Sequence, residues 1–260
     1  MKQKQAVLSI AGFDPTGGAG ILTDAAVIRS QGFHPLVVLT SVAAQGANQL
    51  LEVIPLPAEF VGKELGIVER EFEIGAIKIG MLYSPDVVEA VTDFISHKEC
   101  PVVLDPVIKS SSRGDLILPE AVDLIEGELI PHCTLVTPNA DEAAWFNKSD
   151  IQTKEEAIKA ALALSEKWRC SVLLKGGHLQ DQLVDIFVDQ GTVNEYPHER
   201  HHTHLNLRGT GCALSTLAAI GLMQKNDPKA GVEFAICAVN DAIKSAYSTG
   251  RDGGVGFLEL

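Results

Sequence analysis

Two glycine-rich segments of the chain have the composition of anion-binding loops. Residues 11–20 read AGFDPTGGAG, and residues 208–212 read RGTGC and precede an apolar stretch at residues 213–223. Glycines let a backbone approach a ligand closely, and the N–H groups at a helix N-terminus attract anions. Neither segment is G-x-x-x-x-G-K-[ST] or G-x-G-x-x-G, which excludes a Walker A loop and a dinucleotide fingerprint. Taken singly, the segments are also compatible with a flexible strand-to-helix turn and with a glycine-rich helix start that buries a thiol.

Polar residues follow the ends of several apolar runs. They are Asp14, Lys78 to Gly80, Asp105, Asn139 and the triplet Lys175-Gly176-Gly177. In an open parallel sheet, ligands bind outside the carboxyl ends of the strands, so these groups are expected along one edge. Each of them alone could be a turn residue. Together they outline a site.

The elements that must position these residues alternate between short strands and longer helices. Ser84-Pro85 is a typical helix start, and Thr153 with Glu156 forms a capping-box pattern. This alternation predicts an α/β fold with right-handed crossovers, formed by one domain over residues 1–260. The apolar runs have the composition of parallel strands covered on both faces. They are residues 6–11, 36–41, 76–79, 102–104, 135–136 and 171–174.

Composition excludes several classes of protein. The formal net charge of −13 argues against a general nucleic-acid binder, which needs a basic surface. No apolar run reaches the roughly 18 residues of a membrane span, and the N-terminal apolar stretch is too short for a signal peptide. The five cysteines are widely spaced without a C-x-x-C pair, so we expect reduced thiols. We therefore expect a soluble, cytoplasmic protein with neither a membrane nor a nucleic acid as partner.

Six ordered motifs, covering nearly the whole chain, resemble the hydroxymethylpyrimidine/phosphomethylpyrimidine kinases of thiamine biosynthesis. That family lies within the ribokinase-like superfamily, so the resemblance implies a three-layer sandwich with a central, mostly parallel sheet and helices on both faces. Pyridoxal kinases of the same group carry similar motifs. The motifs are Ser9-Ile10-Ala11-Gly12 through Gly20, Lys78-Ile79-Gly80-Met81-Leu82, Leu104-Asp105-Pro106-Val107, Thr137-Pro138-Asn139 with Glu142, Leu174-Lys175-Gly176-Gly177-His178, and Gly209-Thr210-Gly211-Cys212.

The resemblance implies where the substrate binds. Asp24 and Gln45 would line the pyrimidine pocket, with Gly12, Met81 and Val107 around the ring. A glutamine suits a heterocycle because its amide both donates and accepts hydrogen bonds.

The resemblance also implies a nucleotide site that uses magnesium and ATP. Asp105 and Glu142 would lie close to Mg²⁺, indirectly or through water, as suits a hard cation that keeps several waters. Lys175 would reach the phosphates. The nucleotide-binding residues implied are Thr137, Asn139, Glu142, Lys175 and Gly177.

Phosphoryl transfer would take place at the second glycine-rich segment. Backbone N–H groups of Gly209, Thr210, Gly211 and Cys212 would hold the transferring group, assisted by Lys175. Cys212 stands where the sugar kinases of the superfamily carry a catalytic aspartate. A helix N-terminus can lower a thiol pKa, so we expect that Cys212 accepts the hydroxymethyl proton. The alternative is that the backbone anion hole matters more than the thiol.

Several positions depart from the family pattern. Arg208 replaces the usual histidine; we interpret it as a contact to the second phosphate of a monophosphate substrate, against the alternative of a surface arginine. Gly46-Ala47-Asn48 differs from the usual Asn-Thr, and residues 108–114 form either a mobile lid or a plain surface loop. The stretch with His198, His201, His202 and His204 is only a compositional cue, and we expect no metal there.

The sequence thus predicts an ATP- and Mg²⁺-dependent phosphotransferase. Its substrate would be 4-amino-5-hydroxymethyl-2-methylpyrimidine, and then the monophosphate, which becomes the diphosphate. The alternatives are a pyridoxal or pyridoxine kinase and a catalytically inactive ligand sensor. A homodimer is expected only by analogy with relatives.

Overall fold

The computed structural model describes residues 4–46, 49–108, 116–177, 179, 182–198, 206–249 and 255–260, and a nine-stranded sheet runs through its centre. Six of its strands are parallel: β1 (Ala6–Phe13), β2 (His34–Gln45), β4 (Ile74–Ile79), β5 (Val102–Leu104), β6 (Leu135–Val136) and β7 (Ser171–Leu174). Three are antiparallel to their neighbours: β3 (Leu50–Pro55), β8 (Val184–Asp189) and β9 (Thr192–Pro197). The spatial order is β3-β2-β1-β4-β5-β6-β7-β8-β9.

All six predicted strands are present, and the last three have the predicted bounds. The second is longer than predicted, because it continues to Gln45 and pairs there with β3. The sequence missed the three antiparallel strands of this sheet. Every residue of β3 and β9 is at least partly exposed, so these two strands lack the apolar run that marks a strand covered on both faces. β8 is almost fully buried, but Asp185 interrupts its apolar run.

Helices cover both faces of the sheet, which confirms the predicted three-layer architecture. Val7 of β1 joins the core on one face, whereas Leu8 and Ile10 join the core on the other. The first face is covered by α1 (Gly20–Ser30), α7 (Thr210–Lys225) and α8 (Pro228–Lys244). The opposite face is covered by α2 (Ala58–Glu71), α3 (Pro85–Ile95), α4 (Pro119–Leu124), α5 (Ala140–Asn147) and α6 (Lys154–Trp168). None of the helices in the described ranges combines the length and hydropathy needed to span a bilayer.

A small second sheet fixes the segment that enters α7. It consists of β10 (Asn206–Arg208), β12 (Val255–Phe257) and β11 (Tyr247–Ser248), in that spatial order. β10 and β12 are parallel, and Arg208 lies opposite Phe257. The residue before Gly209 is therefore held by the C-terminal part of the chain, a contact that no local sequence pattern indicated.

The capping box predicted at α6 is present. The Glu156 backbone N–H donates to Thr153 Oγ1 over 3.3 Å, and the Thr153 N–H donates to Glu156 Oε2 over 3.1 Å. Ser84 precedes α3, where Pro85 is the first residue, but the Ser84 side chain makes no capping hydrogen bond. Two N-caps with similar sequence signals therefore differ in whether the side chain stabilises the helix.

We expect Thr153→Ala to lower the free energy of unfolding by about 1 kcal/mol, because it removes a capping hydrogen bond from α6. Ser84→Ala is the control, and its effect should be smaller because no such bond is lost. Urea-induced unfolding of both variants at one pH measures the difference. Equal losses for the two variants would show that the Thr153 capping bond does not stabilise the protein.

Candidate active site

The two glycine-rich segments meet at the N-terminus of α7. Gly209 has a φ of +81°, which an L side chain rarely adopts, and a Cβ there would lie 2.7 Å from the Gly18 carbonyl oxygen. A Cβ on Gly20, at a φ of +62°, would overlap the Gly12 carbonyl. The glycines thus allow two backbone segments to touch and leave the first N–H groups of α7 available for an anion.

A lysine and an aspartate from two strand ends lie against this helix start. Lys175 Nζ donates to Asp105 Oδ1 over 2.7 Å, and Asp105 is only 2% exposed. A Cβ on Gly211 would lie 3.4 Å from Lys175 Nζ and 3.8 Å from Asp105 Oδ2. Burial alone would lower the pKa of Lys175, but the Asp105 and Glu142 carboxylates outweigh it and raise that pKa. A permanent positive charge therefore faces the N-terminus of α7.

Asn139 and Glu142 form a capping box, which the sequence analysis did not recognise. The Glu142 N–H donates to Asn139 Oδ1 over 2.8 Å, and the Asn139 N–H donates to Glu142 Oε2 over 2.8 Å. Burial raises the pKa of Glu142 to about 7, although nearby Lys175 acts to lower it. The pattern S/T/D/N-x-x-E was the signal available for this box. The pair thus has a structural role at the start of α5, and the roles toward nucleotide and magnesium stay predictions.

Of the remaining nucleotide-site predictions, Thr137 is the least accessible. It is fully buried, and its Oγ1 donates to the Leu104 carbonyl over 3.4 Å. This hydrogen bond links the end of β5 to the residue that follows β6. Gly177 is exposed in the loop that follows β7. The preceding Gly176 N–H donates to Asp185 Oδ1 over 2.9 Å, which fixes the start of this glycine pair. The structure thus leaves the Gly177 backbone open to a ligand.

His198 also helps to hold the loop that follows Lys175. Its Nε2 lies 2.8 Å from Asp185 Oδ2, the same carboxylate that binds the Gly176 N–H. The hydrogen bond to Asp185 raises the pKa of His198 and outweighs the effect of burial. The imidazole, once protonated, therefore stabilises the carboxylate that holds the loop after Lys175.

Asp24 lies beneath the site, where its oxygens are already occupied. Asp24 is fully buried and accepts hydrogen bonds from Ser9 Oγ at 2.6 Å, Lys78 Nζ at 2.7 Å and Thr216 Oγ1 at 2.9 Å. Burial acts to lower the pKa of Lys78, but Asp24 outweighs it and the pKa is raised. The predicted pocket-lining role of Asp24 therefore has no free oxygen to support it. The sequence signal for the buried pair was the lysine between two apolar residues of β4.

Cys212 differs from the expectation in its protonation. Burial raises the pKa of its thiol, against the opposing effects of Lys78 and of a backbone hydrogen bond from Gly20. The prediction that the helix N-terminus lowers this pKa was wrong, because the nearby carboxylates of Asp24 and Asp105 add to the cost of a buried thiolate. At neutral pH the residue is therefore a thiol.

Gln45 and Arg208 both bind the carboxylate of Asp14, for which the sequence predicted only a position at the edge of the sheet. Gln45 Nε2 and Arg208 Nη2 each donate to Asp14 Oδ2 over 2.9 Å. Arg208 is 7% exposed, so the surface-arginine alternative was wrong: a buried carboxylate partner draws the guanidinium inward. A contact from Arg208 to a second phosphate stays a prediction.

The remaining ring-pocket residues are only partly brought together. A Cβ on Gly12 would lie 3.1 Å from Met81 Sδ and 2.8 Å from Ser41 Oγ, so Gly12 and Met81 are neighbours. Val107 is partly exposed after β5, and its N–H donates to the Asp105 carbonyl over 2.8 Å. Ser41, buried against Gly12, was not predicted. Its type carries no signal apart from its alternation with Ala43 and Gln45 along β2.

Some predictions concern residues outside the described ranges. They are Ala47, Asn48, most of the 108–114 loop, His178, His201, His202 and His204. Within the described ranges, no group of three or more metal-binding side chains is found.

We expect alkylation of Cys212 by iodoacetamide in the ligand-free protein to be about tenfold slower at pH 7 than alkylation of exposed Cys237. The raised pKa leaves little thiolate at neutral pH, so the rate at Cys212 should keep rising as the pH is taken through 9. Mass spectrometry of digests measures both sites in one sample. Modification of Cys212 as fast as that of Cys237 at pH 7 would contradict the raised pKa.

We expect His198 to make the protein more stable at pH 6 than at pH 8. A raised histidine pKa contributes stability that is complete below the ordinary value of about 6.5 and is lost as pH rises through the folded-state value. His198→Gln should reduce this difference in unfolding free energy, whereas His97→Gln, at an exposed position, should preserve it. An unchanged pH difference in His198→Gln would rule out the pairing with Asp185 as its source.

Comparison with known proteins identifies relatives over nearly the whole chain. Residues 14–256 match the sequence model of the family described as phosphomethylpyrimidine kinase. The hydroxymethylpyrimidine/phosphomethylpyrimidine kinase of Aquifex aeolicus is 32% identical over 246 residues, which cover 94% of this chain and 96% of the relative. The enzyme of the same name from Streptomyces coelicolor is 33% identical over 257 residues, covering 96% and 92% of the two chains.

Solved structures agree with this assignment. The phosphomethylpyrimidine kinase of Clostridium difficile superposes with a TM-score of 0.81 at 28% identity, covering 92% of this chain and all of the other. The Staphylococcus aureus pyridoxal kinase in complex with AMP-PCP and pyridoxal gives a TM-score of 0.85 at 25% identity, covering 98% and 93%. The chain therefore belongs to the phosphomethylpyrimidine kinase family and has the ribokinase-like fold that its motifs predicted.

Proposed function

We propose that this chain transfers the γ-phosphoryl group of ATP to the hydroxymethyl group of 4-amino-5-hydroxymethyl-2-methylpyrimidine, and then phosphorylates the monophosphate to the diphosphate. The observation that carries the proposal is the placement of Lys175 and Asp105 against Gly211 at the N-terminus of α7. The names of relatives covering nearly the whole chain support the pyrimidine as substrate. The proposal includes Mg²⁺ as cofactor and leaves the homodimer as a prediction from the resemblance.

The protein groups act mainly by position and charge. The N–H groups of residues 209–212 would bind the oxygens of the transferring phosphoryl group, where donors in a dry site are most effective. Lys175 would neutralise charge on the bridging and terminal oxygens as the P–O bond to ADP breaks. Its ion pair with Asp105 holds the ammonium in place before a nucleotide arrives.

Asp105 and Glu142 fit a magnesium ion through the chemistry of their oxygens. Both are hard carboxylate ligands, both are nearly buried, and both raise the pKa of Lys175, whose ammonium is hydrogen-bonded to Asp105. When bound, Mg²⁺ would neutralise charge on the nucleotide phosphates. This chain would hold the two carboxylates at the phosphate end of the site, and they would bind the ion directly or through water.

The hydroxymethyl proton needs no strong base. In a loose transition state the proton becomes acidic only as the new P–O bond forms, so it can pass late to an oxygen of the transferred phosphoryl group. Cys212, as a thiol with a raised pKa, would contact the hydroxymethyl group without removing its proton. The backbone anion hole therefore supplies more of the proposed stabilisation than the thiol.

Pyridoxal kinase activity is the second candidate. The observation that favours it is the superposition on pyridoxal kinases, with a TM-score of 0.88 for the ADP complex from Staphylococcus aureus at 26% identity. Both pyridoxal kinase structures superpose on nearly the whole of this chain, so the fold alone does not distinguish pyridoxal from hydroxymethylpyrimidine as the substrate. The pocket residues must decide between them.

We expect Mg²⁺-dependent ATP consumption with hydroxymethylpyrimidine and its monophosphate at a kcat/KM well above that with pyridoxal. Lys175→Met should lower kcat about 10²- to 10³-fold on every substrate, because it removes a preorganised positive charge. Lys63→Met, at an exposed position, is the matched control. A coupled assay for ADP, run with each of the three substrates at the same concentration, measures these rates for the wild type and both variants. Turnover of pyridoxal alone would replace the proposed substrate, and no turnover of any would reject the kinase proposal.

A further inference from the structure

The Asp14 carboxylate joins three parts of the chain at the pyrimidine end of the site. Its Oδ2 accepts hydrogen bonds from Gln45 Nε2, at the end of β2, and from Arg208 Nη2, in β10, each over 2.9 Å. Its Oδ1 accepts from the backbone N–H and the hydroxyl of Thr16, over 2.9 and 2.8 Å. Asp14 is 4% exposed, so these bonds are protected from water.

This arrangement fixes the orientation of the Gln45 amide. An ionised carboxylate accepts hydrogen bonds and cannot donate them, so the glutamine must turn its NH₂ group toward Asp14. The reversed amide would bring two oxygen acceptors together in a nearly buried site. Among the described residues, none donates to Gln45 Oε1. Gln45 is partly exposed, and with its NH₂ group turned toward Asp14 its carbonyl oxygen is the amide atom left for a bound ring.

Arg208 keeps the carboxylate in place. A guanidinium is positive at any physiological pH, and its ion pair with Asp14 is nearly buried at both ends. A Cβ on Gly18 would lie 3.1 Å from Arg208 Nε and 3.2 Å from Arg208 Cβ, so the arginine also packs against the first glycine-rich segment. The next residue, Gly209, begins the anion-binding turn. One arginine thus connects the two ends of the site.

We propose that Asp14 and Arg208 are positioning residues that hold Gln45 with Oε1 toward the substrate, so that the pocket selects a ring bearing an N–H donor, such as an exocyclic amine. A ring with an oxygen at the same position would place acceptor against acceptor. This inference rests on the proposed function, because it takes Gln45 to line the pyrimidine pocket. It deepens that function by naming the group that separates an aminopyrimidine from an oxygen-bearing ring.

Two ligands that differ in one substituent test the proposal. They are hydroxymethylpyrimidine and the analogue in which an oxygen replaces the exocyclic amine. Calorimetric binding without ATP gives the ratio of their Kd values for the wild type, Asp14→Asn, Gln45→Met and the double variant. We expect the wild type to prefer the amine about 10- to 100-fold, the range for leaving a buried polar group unpaired.

Asp14→Asn should reduce this preference toward one, since an asparagine can pair with either face of the glutamine amide. Gln45→Met should do the same, and the double variant should show no further loss, because Asp14 acts through Gln45. Arg208→Lys, which keeps the charge and loses the planar fork, should reduce the preference by a smaller factor. Asp241→Asn, an exposed carboxylate-to-amide change, should leave the ratio unchanged.

A general loss of structure would weaken both ligands equally and lower Tm, without changing their ratio. An unchanged ratio in both Asp14→Asn and Arg208→Lys, with the Tm of the wild type retained, therefore overturns the proposal, as does a wild-type preference for the oxygen analogue. If the wild type binds neither ring, the proposed substrate and this inference fall together. If it binds both without turning either over, the kinase proposal fails while the ratio still decides the inference.

Discussion

The buried ion pair between Asp24 and Lys78 is the interaction on which the site is built. Asp24, in α1, binds Ser9 of β1, Lys78 of β4 and Thr216 of α7, so one carboxylate ties the helix that begins at Thr210 to the centre of the sheet. Two charges in a dry interior are tolerated only when each is paired, and removing one partner of such a pair costs about 3–5 kcal/mol. Because Ser9 and Thr216 complete the hydrogen bonding of Asp24, its orientation is fixed. The glycine turn that precedes α7 is therefore attached to a rigid part of the structure.

Above this pair, charge is arranged in two further buried pairs, Lys175 with Asp105 and Arg208 with Asp14. Each cation comes from a strand end and is matched by an aspartate within 3 Å. This arrangement explains how a chain with a net charge of −13 can offer a site to phosphates. The positive groups are local, protected from water, and held in place before the ligand binds, which lowers the cost of ordering them on binding.

The core strands and the location of the site could be predicted from the sequence because both follow from local composition. Continuous apolar runs marked β1 and β4–β7, and the polar residues after them lie together at the carboxyl ends, as a parallel sheet requires. Thr153 and Glu156 formed their predicted capping box. Asn139 and Glu142 formed a second one, which was not predicted because the family motif assigned both residues to the nucleotide site. The antiparallel strands β3 and β9 were missed because they lie at the sheet edges and are partly exposed, and β8 was missed because Asp185 interrupts its apolar run. The single-domain organisation stays a prediction.

The amino-acid sequence by itself determined the family, the fold class and the set of polar residues at the strand ends, since glycine spacing and apolar runs are local properties. The tertiary structure alone decided which groups pair. Asp24 was placed at the substrate by resemblance and Arg208 by its departure from the family pattern, yet their partners are Lys78 and Asp14, 54 and 194 residues away along the chain. The direction in which the pKa of Cys212 is shifted also depends on burial and on carboxylates that are distant in sequence. Ion pairing and desolvation depend on distances that only the folded chain sets, so they cannot be read from neighbours in sequence.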